Sequence, residues 1–313
     1  VLFDHDALLG SANQNRFLLL DLRDSAFPAG DKSLGKLPPI VCATPFVDDV
    51  IVLVDSPLAD FRIRIFGGDG READFCCNGA LVSLGRIADT EEKFGIDLET
   101  KFGIREGYSD TVRSSLNFGK VTSGSFAPTP EIQHYLQQNG AEILGARIAG
   151  EPHLVLQSVK HGYDWQVTRS KFESFCAPLI DACGVIGGVN VTVIFLSTVN
   201  TLVIRTFERG ARRMTASCGS GALAAAAQVY EDRNPSHSIR VISPGGFHEL
   251  EFDQHTESWI ISSAISIWGH APLREILDAG MVDPQTECYS VEFDDNRQLP
   301  ISCSRALYEM ARI

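Results

Sequence analysis

No stretch of this chain approaches the roughly 18 consecutive apolar residues that a membrane-spanning helix needs, so a transmembrane segment is not expected. Basic residues are scarce. Twenty-seven Lys and Arg stand against 40 Asp and Glu, a formal net charge of −13. A field of that sign repels phosphate backbones and anionic headgroups, which argues against nucleic acid and membrane surfaces as partners. It leaves an anionic small substrate open, because a local pocket can oppose the global field. The opening VLFDHDALLG lacks the basic and apolar regions of a secretory signal, and a cytoplasmic location is expected. Eight cysteines are present: Cys42, Cys76, Cys77, Cys176, Cys183, Cys218, Cys288 and Cys303. None forms a CxxC pair and no His lies at finger-like spacing from one, so no metal site is expected. A disulfide scaffold is not expected either in a chain of this size without a signal peptide. Most of these thiols should be reduced, buried and inert.

The chain has 313 residues, 44% hydrophobic and 21% charged, enough for one large domain or two smaller ones. Its most informative feature is an internal repeat. Residues 63–81 read IRIFGGDGREADFCCNGAL, and residues 204–223 read IRTFERGARRMTASCGSGAL. Both begin Ile-Arg-x-Phe, pass through a polar, glycine-containing loop and end Cys-x-x-Gly-Ala-Leu. A single repeat about 140 residues away is too distant for a solenoid and suits two equivalent units facing each other. Before each loop, β-branched apolar runs predict strand pairs, over 49–54 with 61–66 and over 189–195 with 201–207. After each cysteine, residues 80–88 and 222–230 predict helices, the second strongly alanine-rich. Small residues after a loop can simply let a helix pack close to a sheet. Two copies with a cysteine in register favour function instead.

A helix N-terminus presents unpaired N–H groups and the positive end of the helix dipole. A thiol placed there is expected to have a lowered pKa and to serve as a base. A carboxylate can also bind there, at the amides of residues 77–79 and 219–221, where glycine permits close approach. With two such ends facing each other, one thiolate could remove an α-proton from one face of an amino acid. The other thiol could deliver a proton to the opposite face, and the bound carboxylate would take up charge.

At these residues the chain resembles the diaminopimelate epimerase family. FCCNGA and SCGSGA are similar to its two cysteine motifs. Asn15 and the strand that follows it, the segment 64–70, Gly150-Glu-Pro-His153, Asn190-Val, Phe207-Glu-Arg-Gly210 and Ser243-Pro-Gly-Gly246 resemble further motifs, all in family order across about residues 9–270. The resemblance implies an α/β (α+β) fold of two pseudo-symmetric domains. Each would be a curved, mostly antiparallel sheet wrapped around a central helix, with the active site in the cleft between them. The domains would be 1–122 with 267–313, and 123–266. It implies epimerisation without pyridoxal phosphate or metal, LL- to meso-diaminopimelate in lysine and peptidoglycan precursor synthesis, with a small amino acid as the partner; homodimerisation is open.

Carried over by position, Cys76 and Cys218 would be the acid/base thiols. Asn78, Gly79, Gly219 and Ser220 would cradle the reacting carboxylate, and Asn15, Asn190, Glu208 and Arg209 would contact the rest of the substrate. Arg209 would take a second carboxylate and Glu208 an ammonium group. His153, Cys77 and Glu151 are candidates for supporting roles. The chain departs from the family at Gly67 and Glu151, where the family has Asn, at Val50, near a usual Gln, at Cys77, where it has Gly, and in the inserted loop 212–214. These departures bear on the distal end of the substrate. Glutamate, histidine or another amino acid is the alternative, as is a proline-racemase-like α-epimerase. A non-catalytic amino-acid-binding homologue is the alternative from a different class. Beyond about residue 272, a strand over 289–293 and a helix over 304–313 are predicted.

Overall fold

The computed structural model describes residues 5–23, 25, 32–42, 47–125, 129–158, 168–182, 184–185, 187–233 and 238–273. The strand predicted over 289–293 and the helix over 304–313 lie outside these residues. Among the described residues, no helix is long and apolar enough to cross a membrane.

The chain opens with β1 (Asp6–Ala12) and β2 (Asn15–Asp21), then a 3-10 turn (Lys32–Lys36) and the short α1 (Pro38–Val41). Next come β3 (Asp49–Val54), β4 (Phe61–Gly67) and α2 (Cys77–Glu91), followed by β5 (Gly95–Thr100), β6 (Gly103–Ser109), β7 (Arg113–Gly119) and β8 (Thr122–Ser123). The second half begins with α3 (Pro130–Gln138), β9 (Ala141–Ala149), β10 (Glu151–Ser158) and α4 (Arg169–Ala182). It continues through β11 (Asn190–Ser197), β12 (Thr201–Glu208), β13 (Arg213–Met214), α5 (Gly219–Arg233), β14 (Ser238–Ser243), β15 (Gly246–Asp253) and β16 (Ser258–Pro272). The strand pairs and helices that flank each cysteine thus stand where the apolar pattern puts them.

The sixteen strands form one sheet in the order β1-β2-β3-β4-β5-β6-β7-β16-β15-β14-β12-β11-β10-β9-β8, with β13 paired to β12. β1 also pairs with β16, which closes the first eight strands of that path into a ring. The 15-residue β16 makes the sheet continuous. Its start pairs with β15 and β7, and its end with β1.

Sequence periodicity explains the layering. The strands flanking the cysteines are apolar on both faces, as strands covered on both sides must be. In β2 and β3, Phe17, Leu19, Ile51 and Leu53 join the central core with α2. Their neighbours Leu18, Leu20, Val50 and Val52 face an outer cluster with Leu34, Leu37 and Val41. In the second half, Val155 and Ile194 point inward toward the α5 alanines. Leu154, Leu156, Val191 and Val193 pack outward with α3 and α4. The result is an α+β fold in which a barrel-like sheet is flanked by further strands and helices. α2 touches β1 to β7 and β16, α5 touches β9 to β12 and β14 to β16, and the two helices touch each other.

Candidate active site

Both cysteines are helix N-caps. Cys76 has extended backbone angles (φ −139°, ψ 112°), and its sulfur accepts the Gly79 N–H at 3.4 Å. Its carbonyl takes the first helical bond, from Ala80 at 3.0 Å. Cys218 repeats this geometry: its sulfur accepts the Gly221 N–H at 3.4 Å and its carbonyl the Ala222 N–H at 2.9 Å. Sulfur here takes the part that a Ser or Asp oxygen plays in an ordinary cap. The third amide of each helix is therefore engaged by sulfur. The first two, on Cys77 and Asn78 and on Gly219 and Ser220, have no helical carbonyl to bind and remain for a ligand.

The two helix ends meet. A Cβ built on Gly219 would stand 2.5 Å from Cβ of Cys77, so position 219 admits only glycine at this separation. Asn78, fully buried, donates to the Ser217 carbonyl at 3.3 Å and to Asn15 Oδ1 at 3.2 Å. Asn15 follows a two-residue hairpin turn in which Asn13 and Gln14 have positive φ of 49° and 61°, the twist such a turn needs. Asn13 then donates to the Phe247 carbonyl at 3.0 Å, tying this turn to the start of β15.

A buried histidine grips the second residue of each helix. His248 Nε2 lies 2.9 Å from Asn78 Oδ1. Both Asn78 amide hydrogens go to oxygens, so Nε2 must carry the proton, and His248 Nδ1 is buried with no hydrogen-bond partner among the described residues. His153 Nε2 lies 3.0 Å from Ser220 Oγ, which in turn is 3.4 Å from the Cys218 sulfur. Asn190 Oδ1 accepts the Arg209 N–H at 2.8 Å, which turns Asn190 Nδ2 toward His153 Nε2 at 3.3 Å. His153 Nε2 is thus an acceptor, and Nδ1–H donates to Thr192 Oγ1 at 3.0 Å. Burial lowers both histidines, His153 to about 3 and His248 to about 4. Both are neutral and act as positioning groups, not as proton reservoirs.

This arrangement predicts acid sensitivity. Unfolded histidine binds a proton near pH 6.5, whereas these two refuse it until about pH 3 and 4. Stability is therefore lost as pH falls from about 6.5, by up to about 1.4 kcal/mol per pH unit for each histidine. Urea unfolding at pH 6.5 and 4.5 should show a smaller loss for His248→Gln than for the unaltered chain. An equal loss in both would mean that His248 is not held neutral.

Acid groups surround the thiols. Half-buried Glu208 accepts from Thr215 Oγ1 at 2.7 Å and from the thiol of Cys218. Asp49 is half-buried and is pushed up to about 8 by burial, then by Glu208 and Asp48. Burial followed by Asp49 raises the Cys76 thiol well above its ordinary range; burial followed by Glu208 does the same to Cys218. The lowered thiol pKa expected from the helix ends is thus corrected. The amide bond to each sulfur does favour the thiolate, but burial beside carboxylates outweighs it. Glu208 is an electrostatic neighbour of both sulfurs, which places both helix ends at one site.

The remaining sequence candidates divide. Cys77 is buried, fills the contact with Gly219 and contributes no exposed thiol. Val50 turns away from the site into the outer cluster, and its neighbour Asp49 faces the site instead. A Cβ on Gly67 would lie 3.5 Å from Asp69 Oδ1 and 3.7 Å from Asp49 Oδ1, so a side chain there would pack against both carboxylates. Arg209 forms an ion pair with Glu151 and donates to the Gly188 carbonyl at 3.1 Å. Arg213, from the inserted loop, binds Asp48 across the site at 2.9 Å. Sequence reading missed Asp48, Asp49, Thr192, Thr215 and His248. The Asp-Asp step before an apolar strand and the His two residues after Pro-Gly-Gly were the available signals. Among the described residues, no group of three or more His, Cys, Asp or Glu side chains could hold a metal ion.

The fold and the paired cysteine motifs define a class. The chain belongs to the superfamily of amino-acid epimerases and racemases that work without a cofactor. Among its relatives, a diaminopimelate epimerase from Methanothrix thermoacetophila is 29% identical over 262 residues, covering 77% of this chain and 86% of that one. A Bacillus anthracis phenazine biosynthesis protein of the PhzF family superposes with a TM-score of 0.63 at 14% identity, covering 85% of this chain and 98% of that chain. An Agrobacterium vitis hydroxyproline epimerase with bound trans-4-hydroxy-L-proline gives 0.62 at 12% identity, covering 85% and 91%. No family model matches the chain.

Proposed function

We propose that this chain inverts the configuration at the α-carbon of a free amino acid, with Cys76 and Cys218 as its two acid/base groups and no cofactor. The observation that carries this reading is the pair of abutting helix ends, each capped by a cysteine whose sulfur accepts the third amide at 3.4 Å. The substrate α-carboxylate binds the free amides of Cys77, Asn78, Gly219 and Ser220, where the helix dipoles also stabilise charge that develops at carbon. The α-ammonium faces Glu208. One thiolate takes the α-proton as the C–H bond breaks. The opposite thiol then gives its proton to the other face, and the two sulfurs exchange protonation states.

The raised thiols fit this sequence of events. Burial is the larger cause of the raised thiols, and an ammonium group beside Glu208 would offset the charge that adds to it. Closing out water then strengthens the helix-end interactions. The division into 1–122 with 267–313 and 123–266 belongs to the same reading: each unit would contribute one helix, one cysteine and one wall of the cleft. Diaminopimelate, the substrate in the name of the sequence relatives, is supported by Asn15, Asn190, Glu208 and Arg209. The Glu151–Arg209 pair favours a different amino acid.

The test is α-proton exchange, measured by proton NMR in heavy water, over a panel of L- and D-amino acids that includes LL- and meso-diaminopimelate. Exchange with inversion of at least one amino acid is expected. Binding of an amino acid without any exchange would replace the enzyme reading with the binding-protein one.

A further inference from the structure

Resting on the reading just given, we propose that the site is selective for an amino acid with a cationic side chain and a single carboxylate. Glu151 and Asp49 would set that selectivity.

Arg209 is the guanidinium that would recognise a second carboxylate, but it is already committed. Its Nη2 pairs with Glu151, its Nη1 donates to the Gly188 carbonyl, and its backbone N–H is held by Asn190. Glu151 is itself fixed on both sides. It begins β10 directly after Gly150, whose φ of 73° makes the turn from β9 in a conformation that favours glycine. Its carboxylate also accepts a hydrogen bond from the backbone of Asp74, in the loop leading to Cys76. A second substrate carboxylate would have to displace a half-buried ion pair that joins β10 to this loop. It would then lie beside the Glu151 charge it had displaced.

The other wall of the site points to the opposite sign. Asp49 lies on β3 opposite Gly67 of β4, where an added Cβ would meet Asp69 Oδ1 at 3.5 Å and Asp49 Oδ1 at 3.7 Å, and Asn15 donates a hydrogen bond to the Asp49 carboxylate. Among the described residues Asp49 has no salt-bridge partner, because Arg213 binds Asp48 instead. Asp49 is nevertheless an electrostatic neighbour of both Cys76 and Glu208, which puts it beside the reacting centre. With the α-ammonium at Glu208, Asp49 is the group left to receive a second cation, whose charge would favour the carboxylate form that burial and the neighbouring acids disfavour. Asp48, Glu208, Arg213, Cys42 and Cys76 are among its charged and titratable neighbours, and Asp69 approaches from the loop after β4.

Lysine and diaminopimelate make the sharpest comparison, since they differ by one carboxylate at the far end of the side chain. Rates of α-proton exchange would be measured for lysine, ornithine, arginine, histidine, glutamate, leucine and diaminopimelate, with the full chain in heavy water. We expect at least one basic amino acid to exceed diaminopimelate, glutamate and leucine by tenfold or more in kcat/KM. Glu151→Gln, which releases the Arg209 charge, should move the diaminopimelate-to-lysine ratio toward diaminopimelate by tenfold or more. Asp49→Asn should lower the lysine-to-leucine ratio by a similar factor. Each ratio is read within one preparation, so partial misfolding does not affect it. Faster exchange of diaminopimelate, glutamate or leucine by the unaltered chain would overturn the substrate inference and leave the two-thiol reaction standing, as would unchanged ratios in both variants. No exchange with any amino acid would instead sink the reaction itself.

Discussion

Cys218→Ala should abolish inversion while leaving one-sided exchange in place. The surviving thiol, Cys76, can still remove the α-proton from the enantiomer that presents it, and return a solvent deuteron to the same face. It cannot complete the inversion, because no acid remains opposite. Loss of one positioned acid/base group costs on the order of 10²- to 10⁴-fold, so inversion should fall by about 10³-fold or more. Cys76→Ala should show the mirror pattern, washing deuterium into the other enantiomer. The measurement is proton NMR of each pure enantiomer in heavy water, followed by chiral chromatography. Exchange of both enantiomers in either variant would show that one group serves both faces, and the two-thiol arrangement would be lost. The pattern is specific because each cysteine is bonded to its own helix, Cys76 to Gly79 and Cys218 to Gly221.

The second large effect concerns the contact between the helix ends. Gly219→Ala would place its methyl 2.5 Å from Cβ of Cys77, closer than two such carbons can approach. Neither atom is at the end of a flexible side chain, so the helices themselves must separate. Overpacking of this kind costs about 1–3 kcal/mol. The catalytic cost is larger, since a shift of about 1 Å in reacting groups can reduce rate by about 10²-fold. Substituting Cys77→Gly as well removes the opposing carbon. The double variant Cys77→Gly/Gly219→Ala should recover most of the lost melting temperature and much of the rate. A double variant no better than Gly219→Ala alone would mean that this contact does not set the spacing.

Much of this site was legible in the sequence because its central device is local. An N-cap followed by a small residue three positions on is written within a few residues, as Cys76 with Gly79 and Cys218 with Gly221 show. The flanking strands were legible for the same reason, since apolar runs bounded by polar loops report their own burial. Val50 shows the limit of such reading. An offset of one residue reverses the face of a strand, so Asp49 reaches the site while Val50 joins the outer cluster. The thiols show another limit. Helix position alone argues for a lowered pKa, but burial reverses it, followed by the carboxylates that arrive from β3 and β12.

The sequence by itself determined two matched strand–loop–cysteine–helix units, because capping and periodicity act between near neighbours. Only the tertiary structure decided that Glu151 occupies Arg209, that Gly67 stands opposite Asp49, and that His248 holds Asn78 from 170 residues away. Those contacts depend on strand register and on β16 joining both halves of one sheet. Pairing between distant segments leaves no local mark in the chain, and here it decides which charges meet.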